Sequence, residues 1–409
     1  MKILNTLLFV LFALSANAAD GTVGTVSVQK GNNVSVNGEA PLSLTLDGKE
    51  HQGCQFLSKR APDESHDFTW KEVTTTRGGE LAEILGDQLR SVDSLVVKGY
   101  VNDKDFHAMW DASLYGYLSV INLKNAVLEN NAVPDTAFFH ENEQYEGSSH
   151  EIFYYIGLRK IILPEGLEKI GEGAFYQASA LRQVNFPSTL RYIGDFAFNA
   201  TKLEMNQLVI PEGVEEINQY AFAFCRKLKA QVTLPSTIKK NGEWAFYGCP
   251  ITSINLPEGL ESLGSLAFWD CDLREVSIPS SCHEFNEGWQ FGFNRNLEKM
   301  HLPEGMTEIP DHFAVDCFRL REVNFPHTLK HIGEKAFSLC ISLKNVDLPL
   351  GMQSLGEEAF SELEALEQIV FPASMKSLGK NSCSYWKNIK RIYCAAMEPP
   401  VCDPTDGGV

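Results

Sequence analysis

The sequence predicts a solenoid: a right-handed coil with little helix, about ten repeats of 22–24 residues, and one face paved by a parallel β-sheet. Three observations carry this. A marker proline recurs at Pro164, Pro187, Pro211, Pro235, Pro257, Pro279, Pro303, Pro326, Pro349 and Pro372, spaced by 22, 23 or 24 residues. Apolar residues stand three and one positions before each of these prolines, and phenylalanine recurs eleven positions after most of them. A period of about 20–29 residues is that of leucine-rich coils, in which each repeat covers the apolar face of the last.

Each part of the repeat has a physical role. Ile161, Val184, Leu208, Val232, Ile254, Val276, Met300, Val323, Val346 and Ile369 precede the proline by three; Leu163, Phe186, Ile210, Leu234, Leu256, Ile278, Leu302, Phe325, Leu348 and Phe371 precede it by one. Side chains two apart share one face of a strand, so both columns point into the core. Proline has no N–H for a ladder, so it closes the strand. Seven positions after the proline stand seven glycines, with Asn218, Asn286 and Pro310 in the other places. Glycine and asparagine tolerate positive φ, so a left-handed residue is expected there, with an irregular coil at Pro310 and another over Cys282–Phe293. Phe175, Phe198, Phe222, Phe246, Phe268, Phe337 and Phe360 each follow an alanine and are expected to stack. Cys225, Cys249, Cys271, Cys317 and Cys340 share one place in the repeat and read as buried thiols, because free cysteine packs as a small apolar side chain. Of the remaining cysteines, Cys394 and Cys402 are the best candidates for a disulfide.

Five segments follow from this. Residues 1–18 have a lysine, an apolar run over Leu7–Leu14 and Ala16-Asn17-Ala18, the pattern of an export signal too short to span a bilayer. Residues 19–72 alternate apolar and polar positions between Gly-Asn and Asn-Gly turns, and read as a small β-rich module. Residues 73–150 form an α/β cap with an insertion. Within the cap, Leu81, Ile84, Leu85 and Leu89 mark one helix face, Leu95–Val97 a strand, and Asn102 the cap of a second helix. The acidic insertion, with His140 and His150, has no metal-ligand spacing and reads as a solvated loop. Residues 151–394 are the coils and 395–409 a tail.

The formal net charge is −18, or about −19 without the leader's one lysine, which disfavours nucleic acid and anionic membranes as partners. No later run reaches the roughly 18 apolar residues of a membrane helix. Catalytic motifs are missing: His140-Glu141 and His283-Glu284 lack the second histidine of a zinc site, and neither Gly-x-Ser-x-Gly nor a phosphate-loop lysine occurs. No enzyme, no metal and no cofactor are therefore expected.

The pattern L-x-x-I-x-L-P-x-x-L-x-x-I-G-x-x-A-F-x-x-C, most complete in Leu320–Cys340, resembles the BspA-like subclass of leucine-rich repeat proteins. The capping stretch Gly79–Leu123 and the closing Tyr393–Pro400 are similar to segments that flank such arrays. The resemblance implies a bacterial surface or secreted protein engaged in adhesion and host-protein binding, with no catalytic residues.

Two surfaces are left for a ligand. Two positions before the proline the strand must face outward, and there stand Asn185, Thr233, Asn255, Ser277, His301, Asn324 and Asp347. Four before it come mostly amides, among them Gln183, Gln207, Gln231 and Gln368. Together they pave the expected concave face with donors and acceptors suited to a protein partner, with Thr233–Asn324 the favoured part. The second surface is aromatic. Phe196, Tyr220 and Trp244 recur nine after the proline, and Tyr176, Tyr247 and Trp269 twelve after it. Exposed, these rings would suit a glycan; buried, they would brace the outer turns.

Overall fold

A computed structural model describes residues 68–139 and 156–402, together with the backbone of four strands nearer the N-terminus. The leader, the acidic insertion and Cys54 lie outside the described residues. The four strands, Gly24–Gln29, Asn33–Gly38, Ser43–Leu46 and Lys49–Gln52, form one sheet. The first and second strands pair antiparallel on either side of Gly31-Asn32, as expected, but Asn37 and Gly38 lie within the second strand and not in a turn. The third and fourth strands form the other antiparallel pair, and the first strand pairs with the third in parallel.

The coils begin earlier than the prolines do. Trp70–Thr75, Ser94–Val101 and Val120–Leu128 pair in parallel and lead directly into Lys160–Ile162 and Gln183–Val184. The helix Asp103–Tyr115 joins the second and third of these strands and buries Phe106, Met109 and Trp110, with Phe106 edge-on to Phe138 of the next coil. Its cap is Asn102, as the sequence predicts, and it forms a reciprocal capping box with Asp105. Asp105 is buried and accepts backbone N–H groups from Gly79, Leu81 and Asn102, at 2.7–2.9 Å. One carboxylate thus ties the preceding turn to the helix. That turn is Leu81–Leu85, which tightens at Gly86 into a 3-10 segment over Gly86–Ser91. Leu81, Leu85 and Leu89 are buried, but Ile84 is exposed, because so short a helix buries only a narrow stripe.

Each later coil carries two short strands rather than one. The first sheet holds the expected strands, such as Gln231–Thr233 and Lys299–His301, with the middle residue buried and its neighbours facing out. A second parallel sheet lies beyond the proline turn. It runs from Ala132–Val133 through Lys169–Ile170 to Glu284–Phe285, then from Glu308–Ile309 to Val401–Cys402. Its strands are mostly two residues long with one buried side chain each, too short to leave an alternating pattern in the sequence.

The glycine expectation is corrected. Gly171, Gly194, Gly242, Gly264, Gly333, Gly356 and Gly379 do not have positive φ. They are glycines because neighbouring coils touch there: a Cβ on Gly356 would stand 2.6 Å from the backbone nitrogen of Glu334, and one on Gly379 2.5 Å from that of Glu357. Pro310, which has a Cβ, stands at the break in the second sheet, where Glu308–Ile309 does not pair with Glu284–Phe285 of the preceding coil. The left-handed residues lie two and six positions further on, including Phe196, Tyr220 and Trp244 (φ 55–57°) and Ala200, Phe224 and Asp270 (φ 54–61°). Such a backbone costs a non-glycine residue about 1–2 kcal/mol. The return is a third hydrogen-bonded ladder: the Phe196, Phe198 and Ala200 N–H groups donate to Gln219, Ala221 and Ala223 of the next coil.

Inside the coil the phenylalanines stack. Ring centroids from Phe138 through Phe175, Phe198, Phe222, Phe246 and Phe268 to Phe291 lie 5.2–5.7 Å apart, with planes within 12°. The run turns at Phe313, which meets Phe291 edge-on at 76°. The second sheet is interrupted at the same coils. These are the expected irregular coils, where Phe291 comes one residue late and Phe313 one residue early.

Each column cysteine closes a backbone carbonyl. The Cys225, Cys249, Cys271 and Cys317 thiols donate to Phe198, Phe222, Phe246 and Phe291 of the preceding coil, at 2.9–3.3 Å. Asn294 Nδ2 serves Phe268 and Trp386 Nε1 serves Phe360 in the same manner. All five column thiols are free and buried. Burial pushes the Cys317 thiol up to about 12, so it stays an unreactive thiol at neutral pH.

Candidate functional site: the first-sheet face

The two outward columns sit where the strand period predicts. Thr233, Asn255, Ser277, Asn324, Asp347 and Asn185 are exposed, and His301 is half-buried with Nε2 3.1 Å from Glu275 Oε1. Gln183, Gln207, Gln231, Ser253, Asn345 and Gln368 are exposed in the neighbouring column.

The asparagines differ from the rest. Asn185 Oδ1 accepts the Leu163 N–H and its Nδ2 donates to the Leu163 carbonyl, at 2.7 and 3.0 Å. Asn255 holds Leu234 in this way, and Asn324 holds Leu302. Each amide finishes the sheet for the coil before it, so these three side chains are structural clamps as well as surface. The sequence pattern marks them only as outward and polar. Where threonine or histidine stands instead, the main chain makes the bond, Ile210 N–H to Thr233 and Ile278 N–H to His301. The side chains of Gln207, Gln231, Thr233 and Ser277 have no hydrogen-bond partner within the described residues.

The aromatic positions also meet. Phe196 and Tyr220 stack at 4.8 Å and 7°, Tyr220 and Trp244 at 5.2 Å and 17°, and Trp244 packs on Tyr247 at 4.4 Å. Tyr176 lies between Phe196 and Phe139, edge-on to both, while Trp269 packs on Trp289 and Phe293. Phe224, Trp289 and Phe293 join this ridge from other places in the repeat, so column counting missed them. Tyr247 is buried, and desolvation, reinforced by Asp270, pushes its hydroxyl up to about 12. Flat faces cover one another along the ridge, which leaves mostly ring edges toward solvent.

Other chemistry is sparse. Among the described residues no group of three or more His, Cys, Asp or Glu side chains could hold a metal ion, and no helix is long and apolar enough to cross a membrane. His331 Nδ1 pairs with Ser354 Oγ, and His327 lies apart in the proline turn. The expected Cys394–Cys402 pair is corrected: both thiols are free, Cys394 beside Phe371 in the first sheet and Cys402 beside Leu378 in the second. The coil separates them.

Stacked parallel coils, a marker proline and a phenylalanine core define a leucine-rich repeat solenoid. A family model for the BspA-type leucine-rich repeat region matches in six copies over residues 148–271, 230–326 and 307–397, and the chain belongs to that family. No curated protein matches the chain. A leucine-rich repeat protein from Bacteroides ovatus has the same fold, at 21% identity, 90% coverage of this chain, 92% of that one and a TM-score of 0.53. A leucine-rich cell surface protein from Faecalibacterium prausnitzii matches at 21% identity over 64% of this chain and 83% of that one, with a TM-score of 0.36. The pneumococcal vaccine antigen PcpA matches at 18% over 92% and 89%, with a TM-score of 0.39.

Proposed function

We propose that this chain is an exported, non-enzymatic scaffold of the bacterial surface that binds a protein partner through its first-sheet face, in adhesion or host contact. One observation carries the reading. On the outward columns Gln207, Gln231, Thr233 and Ser277 present amides and hydroxyls with no partner among the described residues, interleaved with Asn255 and Asn324, which clamp the preceding coil. Regularly spaced donors and acceptors on a rigid stack suit an extended protein surface. The leader supports export, and membership of the BspA-type family supports a surface role.

The glycan alternative rests on Tyr176, Phe196, Tyr220, Trp244, Tyr247 and Trp269. Sugars pack their C–H faces on open ring faces, and the ridge covers those faces with its own rings. The observations favour protein.

The test is binding of the chain without its leader to a panel of host extracellular proteins and to a glycan array. Thr233→Arg and Ser277→Arg place bulk and charge on the face without touching the core. At least ~10-fold weaker binding to the captured protein, about 1.4 kcal/mol, is expected for each. Unchanged affinity in both, or glycan binding lost on Trp244→Ala, overturns the reading.

A further inference from the structure

The first sheet is interrupted at three junctions, after Gln183–Val184, after Ser253–Asn255 and after Glu322–Asn324, and the last of these, before Asn345–Val346, differs from the other two in its side chains. A cleft of about 650 Å³ opens there, lined by Glu322, Phe325, His327, Asp347, Leu348 and Leu350 among others. Two departures from the repeat mark it. Asp347 occupies the column from which Asn255 and Asn324 clamp the preceding coil, but a carboxylate cannot donate. Phe325 has no hydrogen bond across this junction among the described residues, as is also true of Phe186 and Leu256 at the other two breaks, whereas Leu234 and Leu302 have two each.

The second departure is in the proline turn. In earlier coils Pro-Glu-Gly alternates with Pro-Ser-Thr, Pro-Ser-Ser or Pro-His-Thr, and the glutamate accepts hydrogen bonds from the residue after the next proline: Glu165 from Ser188, Glu212 from Ser236, Glu258 from Ser280 and Glu304 from the His327 N–H. At Pro349 the glutamate is replaced by Leu350 and the facing serine by Ala373. Leu350 is 88% exposed, beside the half-buried Leu348 and the buried Phe325.

Charge around the cleft is uneven. Glu322 pairs with Lys299 at 3.3 Å and Lys344 with Glu367 at 3.4 Å, so both nearby lysines are matched. The exposed Asp347 carboxylate has no ion-pair partner among the described residues. An apolar notch beside an unmatched carboxylate complements an aliphatic side chain next to a cationic one.

We infer that this cleft anchors an extended segment of the protein partner, an aliphatic residue seated on Phe325, Leu348 and Leu350 and a lysine or arginine two positions away on Asp347. In an extended segment residues two apart face the same way, so both anchors engage together. The inference rests on the protein-binding reading above and narrows it to one place and one chemistry.

The probe is a fluorescein-labelled octapeptide, Gly-Ser-Gly-Leu-Ser-Lys-Gly-Ser, with counterparts carrying Gly for the Leu or Glu for the Lys. Fluorescence anisotropy with the chain lacking its leader should show saturable binding of the first and at least ~10-fold weaker binding of the others. Leu350→Glu, which restores the Pro-Glu-Gly turn of other coils and so preserves folding, should abolish binding. Asp347→Asn should remove the preference for lysine over glutamate. Equal binding of all three peptides, or none by the first, overturns the inference, as does indifference to Leu350→Glu. The two readings separate on the captured partner. Loss with Thr233→Arg but not Leu350→Glu keeps the face and rejects the cleft; loss with Leu350→Glu alone keeps the cleft and rejects the wider face.

Discussion

Replacing Phe222 with alanine should lower the unfolding free energy by about 3–5 kcal/mol, the cost of deleting a fully buried ring. The ring is completely enclosed, with Phe198 and Phe246 each 5.2 Å away and nearly parallel, and Phe186 tilted at 6.1 Å. Its loss opens a cavity in the middle of the stack, and a coil touches only its neighbours. Because stability in such an array is a sum of nearest-neighbour interfaces, two are weakened at once. Urea denaturation should therefore show a lower midpoint, with the transition broadening or splitting as the two halves uncouple. A loss below about 1 kcal/mol with an unchanged transition would mean that the phenylalanine column is not the element that joins the coils.

The opposite sign is expected at Asn241. It lies in the second sheet at the core position taken by Ile193, Ile217, Leu263 and Leu355 in other coils, and it is 1% exposed. Neither Oδ1 nor Nδ2 has a hydrogen-bond partner, and its register neighbours are Ile217 and Leu263. An amide buried without partners costs about 1–3 kcal/mol. Asn241→Leu has similar bulk and removes that cost, so stability should rise by about the same amount. The thermal midpoint and the urea midpoint should move up together. A drop in both would show that the amide holds a buried water between the coils.

The sequence makes the architecture legible because the solenoid repeats one chemical decision ten times. Ile161 and Leu163 both being apolar around Ile162 is weak evidence of a strand; nine further coils with the same pair is strong evidence. What stays hidden is whatever a single column cannot carry. Lys240–Asn241 and its equivalents are two-residue strands with one inward side chain, so no alternation announces the second sheet. Glycine at Gly356 has two explanations, positive φ and close contact, and only the position of Glu334 decides between them. Trp244 does adopt positive φ, which a bulky aromatic rarely does, and it does so because its N–H then reaches the Ser265 carbonyl of the next coil.

The candidate face is legible to the same degree. Alternation fixes which residues point outward, and burial agrees at every column residue from Asn185 to Asp347 except His301, which is half-buried. It does not show that Asn185, Asn255 and Asn324 are occupied by Leu163, Leu234 and Leu302, because a clamp across coils has no local sequence signal. The cleft at Leu350 does have one in retrospect: a leucine where every other Pro-x-Gly turn has glutamate.

The central claim is that partner contact falls on the first sheet, and site-specific photo-crosslinking reads contact directly. A photoreactive phenylalanine analogue would replace Thr233 and Ser277 on that face, Trp244 on the aromatic ridge and the exposed Glu216 on the second sheet. Irradiating the complex should yield covalent adducts from positions 233 and 277 and none from 244 or 216. Adducts confined to 244 or 216 would contradict the account.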